Sequence, residues 1–241
     1  MKHPELWQSS RIRGGENGKD FSVDISRVYA GSVHVSRLQF EALRPLLVKY
    51  CNGKLLDAGC GKVPYYRLLK NHIGMHYCID YSENPEVHRH LDEVVDLNTN
   101  FSLKEKDFDC VLLCDVLAHV ADPSRLLSSL AVHLKSGGRM IISTPFVYWI
   151  SEYPHEYFHP TEFALKKMLT AAGFQIEYIM PYGGYPDVLL DTINKGMTGA
   201  LSNRLFRLLA SVVKKTSSYR KSNEKTMYSY PIGYSVVARK L

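Results

Sequence analysis

Leu55-Leu56-Asp57-Ala58-Gly59-Cys60-Gly61 is the stretch that decides the fold. Lys54 to Ala58 reads as a short apolar strand. The two glycines after it let the chain turn sharply and leave main-chain N–H groups open to close approach. Upstream, before a turn at Asn52-Gly53, Ser36 to Tyr50 carries Leu38, Leu43, Leu46, Leu47 and Tyr50 at helical spacing, with Ser36 as N-cap. Downstream the pattern gives a helix over Tyr65 to His72, a strand over Met75 to Asp80 and another around Glu93 to Leu97. Phe108 to Cys114 is apolar apart from Asp109, as in a strand buried on both faces. Asp122-Pro123 supplies an N-cap and a first-turn proline, and Leu126, Leu127, Leu130, Ala131 and Leu134 share one side of the helix behind it. Gly137-Gly138 stops that helix. A strand over Arg139 to Thr144, a helix over Thr161 to Ala172, a strand over Phe174 to Met180 and a last strand over Ile232 to Arg239 follow. This alternation predicts an α/β fold, a parallel sheet with helices on both faces.

Composition agrees with a folded domain. Hydrophobic content of 45% and charged content of 22% exclude a disordered or fibrous chain. A chain of 241 residues buries enough surface to fold without disulfides or metals. No apolar run reaches the length of a membrane span, since Ser143, Thr144 and Pro145 interrupt the stretch from Ile141 to Ile150. Met1-Lys2-His3-Pro4-Glu5 has no apolar core behind its lysine, so no signal peptide is expected and the chain reads as cytoplasmic. The five cysteines, Cys51, Cys60, Cys78, Cys110 and Cys114, are odd in number and lack the two-residue spacing of a zinc knuckle. They read as buried thiols in a reducing compartment, and no metal is expected.

The net charge of +6 is uneven. From Leu189 onward ten Lys/Arg face Asp191 and Glu224, a local balance of +8, while the rest of the chain sums to −2. Four regions follow: a cap segment over 1–35, a core over 36–182, a basic helical insertion or lid over 183–230, and the final core strand over 231–241. Within the insertion, Leu201, Leu205, Leu208, Leu209, Val212 and Val213 fall at helical spacing between Gly199 and Lys215, with Arg204, Arg207 and Lys214-Lys215 beside them. Such a helix serves as a lid, as the interface of a homodimer, or as a basic face toward an anionic membrane or a phosphorylated substrate.

The glycine turn is selective. The third glycine of a dinucleotide fingerprint would fall on Pro64, and Asp57 stands two residues before the first glycine, so a nicotinamide enzyme is disfavoured. Asp80 ends the second strand at the position where a carboxylate can accept both hydroxyls of a ribose. Its other reading is a loop aspartate capping the turn at Tyr81-Ser82. After the third strand, Asp96 can meet an adenine edge while Leu97 packs on the ring face.

The order Asp57-x-Gly59-x-Gly61, Asp80, Asp96-Leu97, then Phe108-Asp109-x-Val111 leading to Asp115-Val116-Leu117-Ala118-His119-Val120, resembles the class I S-adenosylmethionine-dependent methyltransferases. It is most similar to the small-molecule branch whose fourth strand ends in a Val-Leu-Glu-His-type motif, with Ala118 in place of the glutamate. The resemblance runs from Lys54 to Met180 and includes the final strand. It implies a Rossmann-like, doubly wound, mostly parallel seven-stranded sheet with an antiparallel last strand, and S-adenosyl-L-methionine as cofactor. It also implies Asp57, Gly59 and Gly61 around the methionine part, and Cys60, Tyr81, Cys114 and Asp115 completing the cofactor pocket. Cys114-Asp115-Val116-Leu117 lacks the Asn/Asp-Pro-Pro-aromatic motif of base N-methylases, and nucleic acid is disfavoured as a partner.

A second stretch, Tyr148-Trp149-Ile150-Ser151-Glu152-Tyr153-Pro154-His155-Glu156-Tyr157-Phe158-His159-Pro160-Thr161, follows the fifth strand. It resembles the His-Glu-Tyr-Phe-Arg-x-Thr signature of methyltransferases associated with glycan and cell-envelope biosynthesis, with His159 in the arginine's place. Methyl transfer from a sulfonium is already downhill, so positioning dominates catalysis, and a hydroxyl acceptor gains from a base near neutral pH. His155 is the first candidate base and His159 the second; the other reading is that both only pin the loop. His119 reads as a structural or pocket histidine, and His88 and His90 as loop surface. The expected function is O-methylation of a small-molecule or glycan hydroxyl. A quinone or lipid-precursor methylase and an inactive cofactor-binding partner protein are the alternatives.

Overall fold

The computed structural model describes residues 1–14, 21–81, 88–197 and 200–241. Strands β3 (Gly53–Ala58), β4 (Ile73–Asp80), β5 (Glu93–Val94), β6 (Phe108–Cys114), β7 (Leu134–Pro145), β8 (Phe174–Tyr182) and β9 (Gly233–Lys240) form one sheet in the order β5-β4-β3-β6-β7-β9-β8. Strand β9 runs antiparallel to β7 and β8, and the other pairings are parallel. Sheet order reverses between β3 and β6, so a crevice opens beyond their carboxyl ends.

Successive residues of the central strands face opposite sides, and each side has its own core. Leu55, Cys110, Leu112, Ile141 and Val237 pack with Phe40, Leu43, Leu46 and Leu47 of helix α1 (Val33–Tyr50) and with Leu68 and Leu69 of α2 (Tyr66–Leu69). Leu56, Val111, Leu113, Met140, Ile142 and Val236 pack with Leu126, Leu127 and Leu130 of α3 (Pro123–His133) and with Leu165 and Leu169 of α4 (Glu162–Ala171). Asp122 caps α3 by accepting from the Arg125 N–H at 3.0 Å, and Thr161 caps α4 through Ala164.

Several boundaries differ from the sequence reading. Helix α1 begins at Val33, and Ser36 lies buried inside it rather than capping it. Helix α3 ends at His133, and β7 already begins at Leu134 and carries Gly137-Gly138 within it. The β6–β7 register jumps from Phe108↔Leu134 to Cys110↔Arg139, so the two glycines serve an irregularity in the ladder instead of a helix stop. Strand β5 is only two residues long, and α2 only four. His90 is buried, with Nδ1 3.2 Å from the Lys2 carbonyl, and is no surface residue; His88 is exposed.

Within the first thirty-five residues, the described part packs on the α1 side of the sheet through its apolar side chains. A ribbon of β1 (Ile12–Arg13) and β2 (Ser22–Val23) sends Ile12 and Val23 into the α1 core. Residues 183–230 carry three helices, α5 (Tyr185–Gly196), α6 (Ala200–Val213) and α7 (Ser217–Thr226). Among the described residues no helix is long and apolar enough to cross a membrane.

Candidate active site

Two cavities open at the carboxyl ends of the strands. The larger, about 1020 Å³, is lined by Gly59, Gly61, Asp80, Tyr81, Asp96 and Leu97 and by the loop residues Tyr153, His155 and Tyr157. The smaller, about 650 Å³, takes Cys60, Arg11, Gln39, Tyr29, Tyr148 and Tyr182 into its wall. Gly59, Gly61, Cys114, Asp115, His119 and Glu152 belong to both walls. These shared residues mark the junction of the two cavities, a larger and a smaller arm of one crevice.

The floor of the junction is the glycine turn. Gly59 has φ +70°, and a Cβ there would stand 2.3 Å from Val116 Cγ2. Gly61 has φ +52°, and a Cβ there would meet no atom within 4 Å, because the position faces open space. The Gly61 N–H donates to Asp80 Oδ2 at 2.7 Å, which fixes the turn against the end of β4. Burial pushes the Asp80 carboxyl above its ordinary value, against the pull of the Gly61 and Tyr81 amides. An open glycine floor beside a partly buried carboxylate fits a cofactor that brings a ribose and a flexible polar tail. Asp96 Oδ1 accepts from the Asn98 N–H at 2.8 Å, and Leu97 is largely buried in the α3-side core while contributing to the wall.

Asp57 lies elsewhere. Its Oδ2 is 2.9 Å from His76 Nε2, both side chains are buried, and neither cavity wall includes it. Burial alone would depress the His76 imidazole, yet Cys78 and Asp57 outweigh it and hold the pKa up to about 10. Asp57 therefore meets the buried His76 of the neighbouring strand and faces neither cavity. Asp57, His76 and Cys78 also bring one potential metal-ligand atom each within 4.8 Å of one another. The five cysteines are free thiols.

At the junction, Asp115 closes β6 with φ 57°, in the region that side chains other than glycine rarely occupy. Gln39 Nε2 donates to its Oδ1 at 2.5 Å, and Arg11 Nη1 to its Oδ2 at 3.4 Å. Gln39 also donates to Ser143 Oγ at 2.8 Å, which ties α1, β6 and β7 together beside the smaller cavity.

The loop after β7 separates its two histidines. His155 lines the larger cavity, with Nδ1 3.4 Å from the Tyr157 hydroxyl. His159 Nε2 is 2.6 Å from Glu156 Oε1, and His159 is on neither wall. Glu156 also accepts from the Glu152 N–H at 3.1 Å and from Ser151. Burial opposes its charge, but the Ser151 amide and His159 hold its carboxyl below the ordinary range. His159 thus pins the loop through Glu156. His119, on the short helical turn after β6, is placed on both walls, and its Nδ1 is 3.0 Å from the His155 carbonyl oxygen.

Sequence reasoning did not single out Arg11, Gln39, Glu152 or Tyr182, and it ranked His119 below the loop histidines. Arg11 is 104 positions from Asp115, so no local pattern announces that pair. The Asp115-to-Val120 motif was the only available signal for His119.

The sequence model of the methyltransferase domain family matches residues 35–179, more than half of the chain. Among curated proteins, a ubiquinone biosynthesis O-methyltransferase of Coxiella burnetii is 29% identical over 42% of this chain and 50% of its own length. The chain therefore spans about half the length of the curated relatives it matches. Among solved structures, a putative S-adenosylmethionine-dependent methyltransferase from Listeria monocytogenes superposes with a TM-score of 0.55 at 15% identity, over 85% of this chain and 98% of that one. An S-adenosylmethionine-dependent methyltransferase from Mesorhizobium loti gives 0.55 at 18% identity, over 86% and 100%. These structural likenesses show the fold, and the family match over residues 35–179 shows the family. The chain belongs to the class I S-adenosylmethionine-dependent methyltransferases.

Proposed function

We propose that the protein methylates a hydroxyl oxygen of a ring-bearing small molecule, with His119 as the base. The observation that carries this reading is the position of His119 on the walls of both cavities, where donor and acceptor would meet. S-adenosylmethionine, when bound, supplies an electrophilic methyl group. Gly59, Gly61, Asp80 and Asp96 would hold it in the larger arm. A carbonyl only accepts, so His119 Nδ1 is the protonated nitrogen facing the His155 carbonyl, and the neutral ring keeps its lone pair on Nε2. That nitrogen is the site for the acceptor's proton. His155 contributes through its backbone and as part of the cofactor-side wall. His159 acts at one remove, by holding Glu156 and the loop.

The smaller arm, which we assign to the acceptor, is lined by Tyr29, Tyr148 and Tyr182 beside Arg11 and Arg27. Aromatic walls suit a planar phenol and also the flat face of a sugar. The likeness to a ubiquinone biosynthesis O-methyltransferase favours a phenolic quinone precursor, and the loop's glycan-type signature favours a sugar hydroxyl. Transfer of labelled methyl from S-adenosylmethionine should be measured across phenols, catechols, sugars and lipid-linked sugars. We expect oxygen methylation in one of these classes. Methylation of amine acceptors with none of the hydroxyl panel, or cofactor binding with no transfer to any acceptor, would overturn the reading.

A further inference from the structure

Helix α6 leaves its apolar side largely uncovered, with Leu205 and Leu208 at the lip of an open groove shared with Val33, His34, Arg37 and Leu190. Leu205, Leu208, Leu209 and Val212 are 57, 63, 58 and 60% exposed, and Val213 is 47% exposed. They stand at the i, i+3, i+4, i+7 positions of one helical stripe. Among the described side chains of the helix, small Ala210 is buried, 7% exposed, and Phe206 half-buried. An ordinary surface helix does the reverse, burying its leucines and exposing its polar residues. Leu201 and Arg207 lie outside the described side chains.

Arg204 and Lys215 are exposed near the two ends of the stripe, and Arg220, Lys221 and Lys225 are exposed on the next helix, α7, which packs on α5. Lys214 is engaged, with Nζ 2.5 Å from His34 Nδ1. Between residues 204 and 225 the sequence holds seven Lys/Arg and a single acid, Glu224. A second copy of the chain docked face to face would set this cationic surface against itself, and like charges across an interface disfavour association. One short apolar stripe also falls well below the roughly 20–30 residues a side of a stable protein interface. At about 21 Å the helix is too short to cross a bilayer but long enough to lie along one.

We propose that the outer face of α6 docks on the surface of an anionic lipid bilayer, with its leucines in the headgroup–acyl boundary and Arg204, Lys215 and the α7 cations on lipid phosphates. This combination is that of an interfacial amphipathic helix. Helix α6 packs on α5, and Asn194 of α5 donates to the carbonyls of Ala30 and Gly31 at 3.1 and 3.0 Å, next to Tyr29 of the acceptor arm. Docking therefore holds the acceptor arm near the membrane.

The test is co-sedimentation of the full chain with vesicles of phosphatidylcholine alone and of phosphatidylcholine mixed with phosphatidylglycerol. Binding is expected only to the mixed vesicles, weakening as salt is raised. Leu205→Glu/Leu209→Glu should bind at least about ten-fold more weakly, with the unfolding temperature and cofactor affinity unchanged. Arg204→Glu/Lys215→Glu should weaken binding in the same direction, and Val132→Glu, at an exposed site on α3, should leave it alone. Wild-type indifference to both vesicle types would overturn the proposal, as would unaltered binding by both double variants. So would a solution dimer that the leucine variant splits without changing vesicle binding. None of these readouts involves methyl transfer, so the proposal stands or falls apart from the acceptor chemistry.

Discussion

Replacing His119 by alanine is expected to lower kcat by roughly 10²–10⁴-fold, the range of general-base catalysis, while affinity for S-adenosylmethionine changes little. His119 lines both cavities, and its Nδ1 lies 3.0 Å from the His155 carbonyl oxygen. His155→Ala retains that carbonyl, so its kcat should fall far less. Steady-state kinetics on both variants decide the matter. A large loss confined to His155→Ala would return the base role to that residue, and a His119→Ala effect seen only in KM would make His119 a positioning residue.

The glycine turn should show two different failures. Gly59→Ala puts a Cβ 2.3 Å from Val116 Cγ2 and 3.1 Å from Cγ1, at φ +70°. Overpacking of this kind costs about 1–3 kcal/mol, and the left-handed backbone adds about 1–2 kcal/mol. Thermal unfolding should therefore drop sharply, and Gly59→Ala/Val116→Ala should recover part of the loss. Gly61→Ala meets no protein atom within 4 Å, so it should cost only the backbone term. Its methyl nevertheless stands in the space a cofactor would use, and S-adenosylmethionine binding should be lost from a protein that still folds. A Gly61→Ala variant with wild-type affinity would show that the ligand does not approach the turn.

The motifs of the sheet were legible because each is local. Asp57 to Gly61, Asp80, Asp96-Leu97 and Asp115 to Val120 sit at strand ends, where strand period and turn chemistry coincide. The insertion's helix was legible for the same reason, since Leu205, Leu208, Leu209 and Val212 repeat at helical spacing. Which way that stripe faces was not, because a period does not say which side is outside. The Gly137-Gly138 pair misled, since two glycines suit a strand irregularity as well as a helix stop. Asp57 was assigned to the cofactor from its place in the motif, whereas its contact is His76, on the neighbouring strand. Arg11, Gln39 and Asp115 converge from residues tens of positions apart, and only the folded sheet brings them together.

S-adenosylmethionine should bind in the crevice between the glycine turn and Asp80, and isothermal titration of the wild type and of Asp80→Ala checks this. Hydrogen bonds to a charged group are worth about 1.5–3 kcal/mol. Saturable one-to-one binding is therefore expected of the wild type, with an affinity roughly 10- to 100-fold weaker in Asp80→Ala. Absence of binding by the wild type, or an unchanged Kd in the variant, would contradict it.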